Sequence, residues 1–151
     1  MATFQFTQLD NIRGCTILLD IDGTISFDGK EEVSSGVAGK ITELRDRNDV
    51  YLISNKKIPG RLERMAHGFG VSAINTPFKK PSLRALGDAP RDKPFVVIGD
   101  KFLTDGILAK RLGAEFFRVS RLTSPEDGYG ARMTGFLDDF LYAIVGPFIR
   151  I

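Results

Sequence analysis

The chain has 151 residues and a net charge of +2, which is the length of one compact domain and a balance too weak to indicate nucleic-acid binding by itself. A single cysteine, Cys15, excludes an internal disulfide framework. A single histidine, His67, argues against a metal site built from cysteine and histidine, so any bound metal is expected to have oxygen ligands.

No targeting or membrane-spanning segment is expected. Residues 1–14 do not place a basic segment before an apolar core, as a secretory signal would. No apolar run approaches the roughly 18 residues that suggest a membrane span. The sequence therefore predicts a cytoplasmic protein, with attachment to the surface of a membrane as a further option.

Short apolar runs alternate with helical patterns along the chain. Strands are predicted at 16–19, 50–53, 71–74, 95–98 and 115–119, with a small hairpin at 25–29. Helices are predicted from Ser34 or Ser35 to about Arg47, from Pro59 to the glycines at 68 and 70, over Leu83 and Leu86, and from Thr104 or Asp105 to Leu112. This alternation predicts a three-layer, Rossmann-like α/β domain around a parallel sheet. The whole chain, 1–151, is expected to form one domain with its core at about 15–119.

The C-terminal part, at about 120–151, combines a polar loop with an apolar helix. Residues 120–135 are rich in glycine, serine and proline, which predicts a surface loop. Apolar residues then recur at helical spacing up to Gly146-Pro147, where the helix should end: Leu137, Phe140, Leu141, Ile144, Val145 and Phe148. We expect this helix to cover the sheet. A role at a membrane surface or in a dimer is the alternative.

The polar side of this helix favours packing on the protein over binding to lipid. Asp138 and Asp139 would be repelled by anionic head groups, and the basic residue nearby, Arg150, lies at the end of the sequence. We therefore expect the side chains of Leu137, Phe140, Leu141 and Ile144 to pack on the domain. Under that prediction, Phe140→Asp would cost several kcal/mol of folding stability by placing an unpaired charge in the core.

Two carboxylates follow the first predicted strand, in the segment TILLDIDGT at residues 16–24. Residues i and i+2 of an extended chain point to the same side, so Asp20 and Asp22 should converge just past the strand. Open α/β sheets bind their ligands at this end of their strands. Because two close carboxylates repel each other when ionised, a hard divalent cation such as Mg²⁺ is the simplest compensation.

The segment DIDGT resembles the first motif of the haloacid dehalogenase (HAD) superfamily, D-x-D-G-T/V. Three later segments are similar to its other motifs in the same order: Ser54-Asn55 after the second strand, Lys80 before Pro81, and Gly99-Asp100 followed by Asp105. The resemblance covers roughly residues 15–119 and implies strand order 5-4-1-2-3. It does not settle whether Asp105 belongs to a metal site or only caps a helix.

The resemblance also implies a role for each residue. Asp20 would be the nucleophile that accepts a phosphoryl group, and Asp22 the general acid and base. Lys80 would offset negative charge and, with Ser54 and Asn55, bind the substrate phosphate. Mg²⁺ would be held by Asp20, by the backbone carbonyl of Asp22 and by Asp100, with Gly99 and Asp105 in support. The implied activity is hydrolysis of a phosphomonoester through an aspartyl phosphate.

The gaps between the motifs are too short for the separate cap domain of many HAD enzymes. An open site suits a phosphate carried by something large, or a site completed by homo-oligomerisation. The segments KKP and GDKFLTDGILAKRLGA resemble small phosphatases related to phosphatidylglycerophosphate phosphatase, which implies a phospholipid substrate. Nucleotide, polynucleotide, sugar and protein phosphates are alternatives, as is an inactive HAD-like binding module. A receiver domain fits this motif order less well.

Overall fold

The computed structural model describes residues 6–148, so the expectations for residues 1–5 and for Arg150 lie outside the described residues. The strands are β1 (Thr16–Asp20), β2 (Asp49–Ile53), β3 (Ser72–Ala73), β4 (Phe95–Gly99) and β5 (Glu115–Arg118). The helices are α1 (Phe6–Leu9), α2 (Ser35–Arg47), α3 (Arg61–Phe69), α4 (Ile107–Leu112) and α5 (Tyr129–Val145). Short 3₁₀ turns cover Leu83–Leu86 and Gly146–Phe148, and a π-helical turn covers Phe102–Gly106.

The five strands form one parallel sheet in the order β3-β2-β1-β4-β5, which confirms the predicted α/β class and strand order. The central strand β1 is buried along its whole length. Its side chains alternate between two apolar clusters, one on each face of the sheet. Ile17 and Leu19 pack with α2 and α3, whereas Leu18 packs with α4.

The register of the sheet brings the motif segments together. Asp20, the last residue of β1, is paired with Ile53, the last residue of β2. On the other side Leu19 is paired with Ile98, one residue before the end of β4. Since all these strands are parallel, the segments that follow them leave the sheet at the same edge.

Several local predictions differ from the structure. Residues 25–29 form no hairpin, because the N–H groups of Thr24, Ile25 and Ser26 all donate to the carbonyl of Ile21 in a compact turn. Helix α3 continues through Gly68 and ends at Gly70, whose φ of 66° is readily adopted by glycine. Neither Thr104 nor Asp105 caps α4, because the π-helical turn begins at Phe102 and runs directly into that helix.

Helix α5 differs most from its prediction. It begins at Tyr129, inside the segment expected to be a loop, although it ends before Gly146-Pro147 as expected. The exposed fractions of Phe140 and Ile144 are 55% and 51%, so the prediction that this apolar stripe packs on the domain is wrong. Leu137 and Leu141 are also exposed. The physical reason is that Asp138, with 1% exposure, faces the protein instead.

Within the part of the chain that the structure describes, no helix is long and apolar enough to cross a membrane.

Candidate active site

Three buried carboxylates form a cluster at the carboxyl edge of the sheet. Asp20 ends β1, Asp100 follows β4, and Asp105 lies in the π-helical turn, with one oxygen from each within 4.8 Å of the others. The cluster thus combines residues far apart in the chain on adjoining elements. Three closely spaced carboxylates in a buried site suit a hard cation with oxygen ligands, such as Mg²⁺.

Lys80 bridges two of these carboxylates. Its ammonium Nζ lies 2.6 Å from Oδ1 of Asp20 and 2.5 Å from Oδ1 of Asp105. Burial alone would lower the pKa of Lys80, but the charges of Asp105 and Asp20 raise it above its ordinary value. Lys80 is therefore a permanent positive charge beside the proposed nucleophile.

Thr24 and Arg121 contact the remaining oxygens of Asp20 and Asp100. The Thr24 hydroxyl is 3.0 Å from Oδ2 of Asp20 and 3.3 Å from Oδ1 of Asp100. Nε of Arg121, on the segment after β5, donates to Oδ2 of Asp100 at 2.6 Å. Burial, together with the nearby charge of Asp20, still raises the pKa of Asp100 to about 6. When all three carboxylates are ionised, the two cations paired with them, Lys80 and Arg121, leave an excess of negative charge in the cluster.

Two glycines make room for this arrangement. A Cβ atom at Gly99 would lie 2.2 Å from Oδ2 of Asp105, so only glycine lets that carboxylate pack against the end of β4. Gly23 has a φ of 78°, and a Cβ there would lie 2.8 Å from Oδ2 of Asp100. Steric space therefore explains why glycine occurs after Asp22 and before Asp100.

Asp22 lies beside the cluster but not in it. Its carboxylate accepts hydrogen bonds from both terminal nitrogens of Arg61, at 2.9 and 2.7 Å, and from the backbone N–H of Gly29 at 2.8 Å. The hydroxyl of Ser54 also donates to it, at 2.8 Å. Burial by itself would raise the pKa of Asp22, but these bonds, with that of Arg61 foremost, lower it. Asp22 is therefore held as a carboxylate.

Two of the predicted phosphate ligands, Asn55 and Lys80, line a cleft beside the cluster, whereas Ser54 lines a different cavity of about 170 Å³ and its hydroxyl donates to Asp22. The side chain of Asn55 fixes the backbone of Lys80, because it accepts from the N–H of Lys80 at 2.7 Å and donates to the carbonyl of Lys80 at 3.0 Å. Asp20, Asp22, Asn55 and Lys80 line one cavity of about 290 Å³. The phosphate-binding roles of Ser54 and Asn55 stay predictions.

Helix α5 is attached to this site through Asp138. The carboxylate of Asp138 accepts from the N–H groups of Phe102 and Leu103, at 2.8 and 2.7 Å. These are the first two residues of the π-helical turn that carries Asp105. Arg118 and Arg121 also lie within ion-pair distance of Asp138. The polar side of α5 therefore braces one wall of the carboxylate cluster.

The sequence patterns did not identify three residues beside the cluster: Arg61, Arg121 and Asp138. Arg61 is nearly fully buried and stands four residues before Met65 on the inward stripe of α3. A charged residue on an apolar stripe is a signal that would have singled it out. Arg121 lies in a segment without periodicity, and Asp138 was assigned to the wrong side of its helix.

Comparisons with known proteins bear on the fold. No protein-family model and no curated protein matches the chain. Among solved structures, a HAD-hydrolase of Bacillus subtilis, YfnB, crystallised with bound magnesium, matches with a TM-score of 0.55. The match covers 70% of this chain and 88% of that chain at 13% sequence identity. The fold is HAD-like.

In this HAD-like fold the clustered carboxylates lie at the carboxyl ends of β1 and β4, where open α/β sheets bind their ligands. The similarity extends to fold only, so the roles of individual residues must be argued from the site itself.

Proposed function

We propose that this protein is a Mg²⁺-dependent phosphomonoester hydrolase that transfers the phosphoryl group to Asp20. The observation that supports this most strongly is the buried cluster of Asp20, Asp100 and Asp105, bridged by the ammonium group of Lys80. A nucleophilic carboxylate beside a fixed positive charge and an oxygen-lined cation site is what phosphoryl transfer to an aspartate requires.

Asp20, Asp100 and the backbone carbonyl of Asp22 would hold the Mg²⁺ ion. Bound there, the ion supplies positive charge that neutralises the phosphoryl oxygens. Asp105 has a different task in this proposal. Its oxygens accept hydrogen bonds from the ammonium group of Lys80 and from the N–H of Lys101. It holds Lys80 in place next to Asp20.

In the proposed first step, a carboxylate oxygen of Asp20 attacks phosphorus and the bond from phosphorus to the leaving oxygen breaks. Asp22 donates a proton to that oxygen, while Lys80 and the segment Ser54-Asn55 bind the phosphoryl oxygens. In the second step a water molecule gives its proton to Asp22 and attacks phosphorus, which releases phosphate and restores Asp20.

The contacts of Asp22 favour the second of these steps. Arg61, Gly29 and Ser54 hold its carboxylate ionised, which is the form that accepts a proton from water. To act as an acid in the first step, Asp22 has to gain a proton and exchange some of these hydrogen bonds for one to the substrate.

The test is hydrolysis of 4-nitrophenyl phosphate with Mg²⁺ and with a chelator. We expect activity that requires the metal and that is lost in Asp20→Asn and in Asp22→Asn with folding retained. Asp46→Asn is the control, because Asp46 lies exposed on α2. A folded wild-type protein without metal-dependent activity on a broad panel of phosphates would instead indicate a HAD-like binding module.

For the substrate, we propose a phosphate presented on a large group, with a phospholipid head group as the first candidate. The cleft is open, and the cavity that adjoins it is lined by Phe136, where the exposed apolar side of α5 begins before it continues to Phe140 and Ile144. Equal turnover of soluble glycerol phosphate and phosphatidylglycerophosphate would argue against lipid recognition. A preference for nucleotide, sugar, protein or polynucleotide phosphates in the same panel would replace this candidate.

A further inference from the structure

A second cavity adjoins the catalytic cleft. It has a volume of about 530 Å³ and lies between the segment 121–127 and helix α5. We call it the side cavity. The cleft and the side cavity share Asp22, Asp28, Lys101 and Ala131, so a molecule whose phosphate enters the cleft can extend into the side cavity.

Lys101 stands at the junction of these two spaces and differs from the other cations that line them. Lys80, Lys56 and Arg121 are each ion-paired with a carboxylate at 2.6 Å or less, and the guanidinium group of Arg132 donates to the carbonyl of Pro125 at 2.7 Å. Within residues 6–148, the ammonium group of Lys101 forms no ion pair or hydrogen bond. The positive charge of Lys101 acts on the nearby carboxylate of Asp100 and partly offsets the rise in its pKa, but the ion-pair partner of Asp100 is Arg121.

The backbone of Lys101 is nevertheless fixed. Its N–H donates to Oδ2 of Asp105 at 3.3 Å, and its carbonyl accepts from the N–H of Asp105 at 2.9 Å. The residue is therefore anchored directly after Asp100, at the base of the π-helical turn, while its ammonium group remains available. A fixed backbone with an uncommitted charge is an arrangement that suits ligand binding.

Four of the five acidic residues that line the side cavity are ion-paired with other cations: Asp22 with Arg61, Asp28 with Lys56, Asp100 with Arg121 and Asp139 with Arg118. The fifth, Asp127, accepts a hydrogen bond from the N–H of Ser124. The apolar surface of the side cavity includes Leu122, Pro125 and Phe136. The side cavity thus offers an apolar wall and one uncommitted ammonium group next to the site of phosphoryl transfer.

We propose that the side cavity binds the leaving group of the substrate and that Lys101 binds an anionic group on it, a phosphodiester or a carboxylate. This rests on the proposed phosphatase function and narrows its substrate class to phosphomonoesters with a second negative charge. An ammonium group that pairs with an anion in a partly desolvated site gives a preference for charged over neutral leaving groups.

The experiment compares phenyl phosphate with 4-carboxyphenyl phosphate in the wild type and in Lys101→Met. The ratio of the two kcat/KM values is measured in each protein, and the difference in intrinsic reactivity of the two esters cancels when the ratio of the variant is compared with that of the wild type. We expect Lys101→Met to lower the ratio of charged to neutral substrate about tenfold, mainly through KM. Lys110→Met, on the exposed side of α4, is the matched control and should keep the wild-type ratio.

An equal loss on both esters would overturn the proposal, since Lys101 would then bind the transferred phosphate itself. An unchanged ratio would overturn it as well. If the wild type hydrolyses neither ester, the proposed function fails separately. Calorimetry with phenylphosphonate and 4-carboxyphenylphosphonate then measures the preference for the charged ligand without turnover. Equal affinities of the wild type for the two ligands would show that the side cavity does not bind the second anionic group.

Discussion

The carboxylate cluster follows from the local sequence pattern of its strands, whereas the orientation of helix α5 does not follow from its own pattern. At the cluster, apolar strands are buried and their acidic ends meet at one edge of the sheet, so the local pattern of each strand already indicates its place. In α5 an acidic residue, Asp138, is buried while the apolar residues Phe136, Phe140 and Ile144 are exposed. The difference shows that an apolar stripe identifies a helix but not the side that contacts the protein.

The largest effect is expected at Lys80, where the cluster depends on one positive charge. Lys80→Met removes the partner of Asp20 and Asp105 and leaves buried carboxylates without compensation. We expect activity to fall more than about 100-fold and stability to fall by about 3 kcal/mol or more. Activity assays and urea unfolding measure the two effects.

Lys79→Met is the control for this change, because Lys79 is exposed and adjacent in sequence. It should keep both activity and stability near wild type. If Lys79→Met lost as much activity as Lys80→Met, the assignment of the bridging lysine would be wrong.

The next effect is the pH dependence of the metal-free protein. Burial raises the pKa of Asp100 to about 6 and that of Asp105 to about 7. Because both carboxyl groups bind a proton more tightly in the folded than in the unfolded protein, their protonation stabilises the folded state. That stability is complete below about pH 4 and is lost as pH rises through 6 to 7, by an amount on the order of 3 kcal/mol. Thermal unfolding in a chelator at pH 5 and pH 8, with other conditions fixed, measures it.

Mg²⁺ should oppose this loss, because the ion binds the ionised carboxylates. Its stabilising effect should therefore be larger at pH 8 than at pH 5. Equal stabilisation at both pH values would place the bound ion away from the cluster.

A smaller effect distinguishes the two acids of α5. Asp138→Asn keeps an acceptor for one of the N–H groups of Phe102 and Leu103 but loses the negative charge, so we expect a cost of about 1–3 kcal/mol. Asp139→Asn changes an exposed carboxylate and should cost less than about 1 kcal/mol. Urea unfolding of both variants gives the comparison, and equal costs would refute the bracing role of Asp138.

The smallest effect is expected at Phe140, contrary to the expectation from sequence. With 55% of its surface exposed, Phe140→Asp should change stability by less than about 0.5 kcal/mol. Leu108→Asp, at a fully buried position of α4, should destabilise the fold strongly. A large loss of stability in Phe140→Asp would mean that the apolar side of α5 is covered in solution.

Much of the fold was predictable because its signals are local. The runs before Asp20 and Asp100 predicted two buried strands, and the alternation of strands and helices predicted the parallel sheet. The positions of the clustered carboxylates followed from the ends of those strands. Asp105 was predicted either as a residue of the site or as a helix cap, and the structure places it beside Asp20 and Asp100 and not at the cap of α4.

The remainder depends on contacts that sequence spacing does not encode. Arg61 and Asp22 are 39 residues apart, and Arg121 and Asp100 are 21 residues apart. Which acid each arginine meets is decided by the packing of α3 and by the path of the chain after β5. The orientation of α5 likewise depends on the backbone N–H groups of Phe102 and Leu103 in the π-helical turn, which donate to Asp138. The sequence of this turn has the pattern of an ordinary helix start, so it does not indicate these two hydrogen bonds.

The most direct test of the account is to trap the phosphoryl group on Asp20. Borohydride reduces an aspartyl phosphate to homoserine, so protein quenched during turnover with Mg²⁺ can be reduced, digested and analysed by mass spectrometry. We predict homoserine at position 20, dependent on substrate and metal and absent from Asp20→Asn. Homoserine at Asp22, Asp100 or Asp105, or continued hydrolysis by Asp20→Asn, would contradict the assignment of the nucleophile.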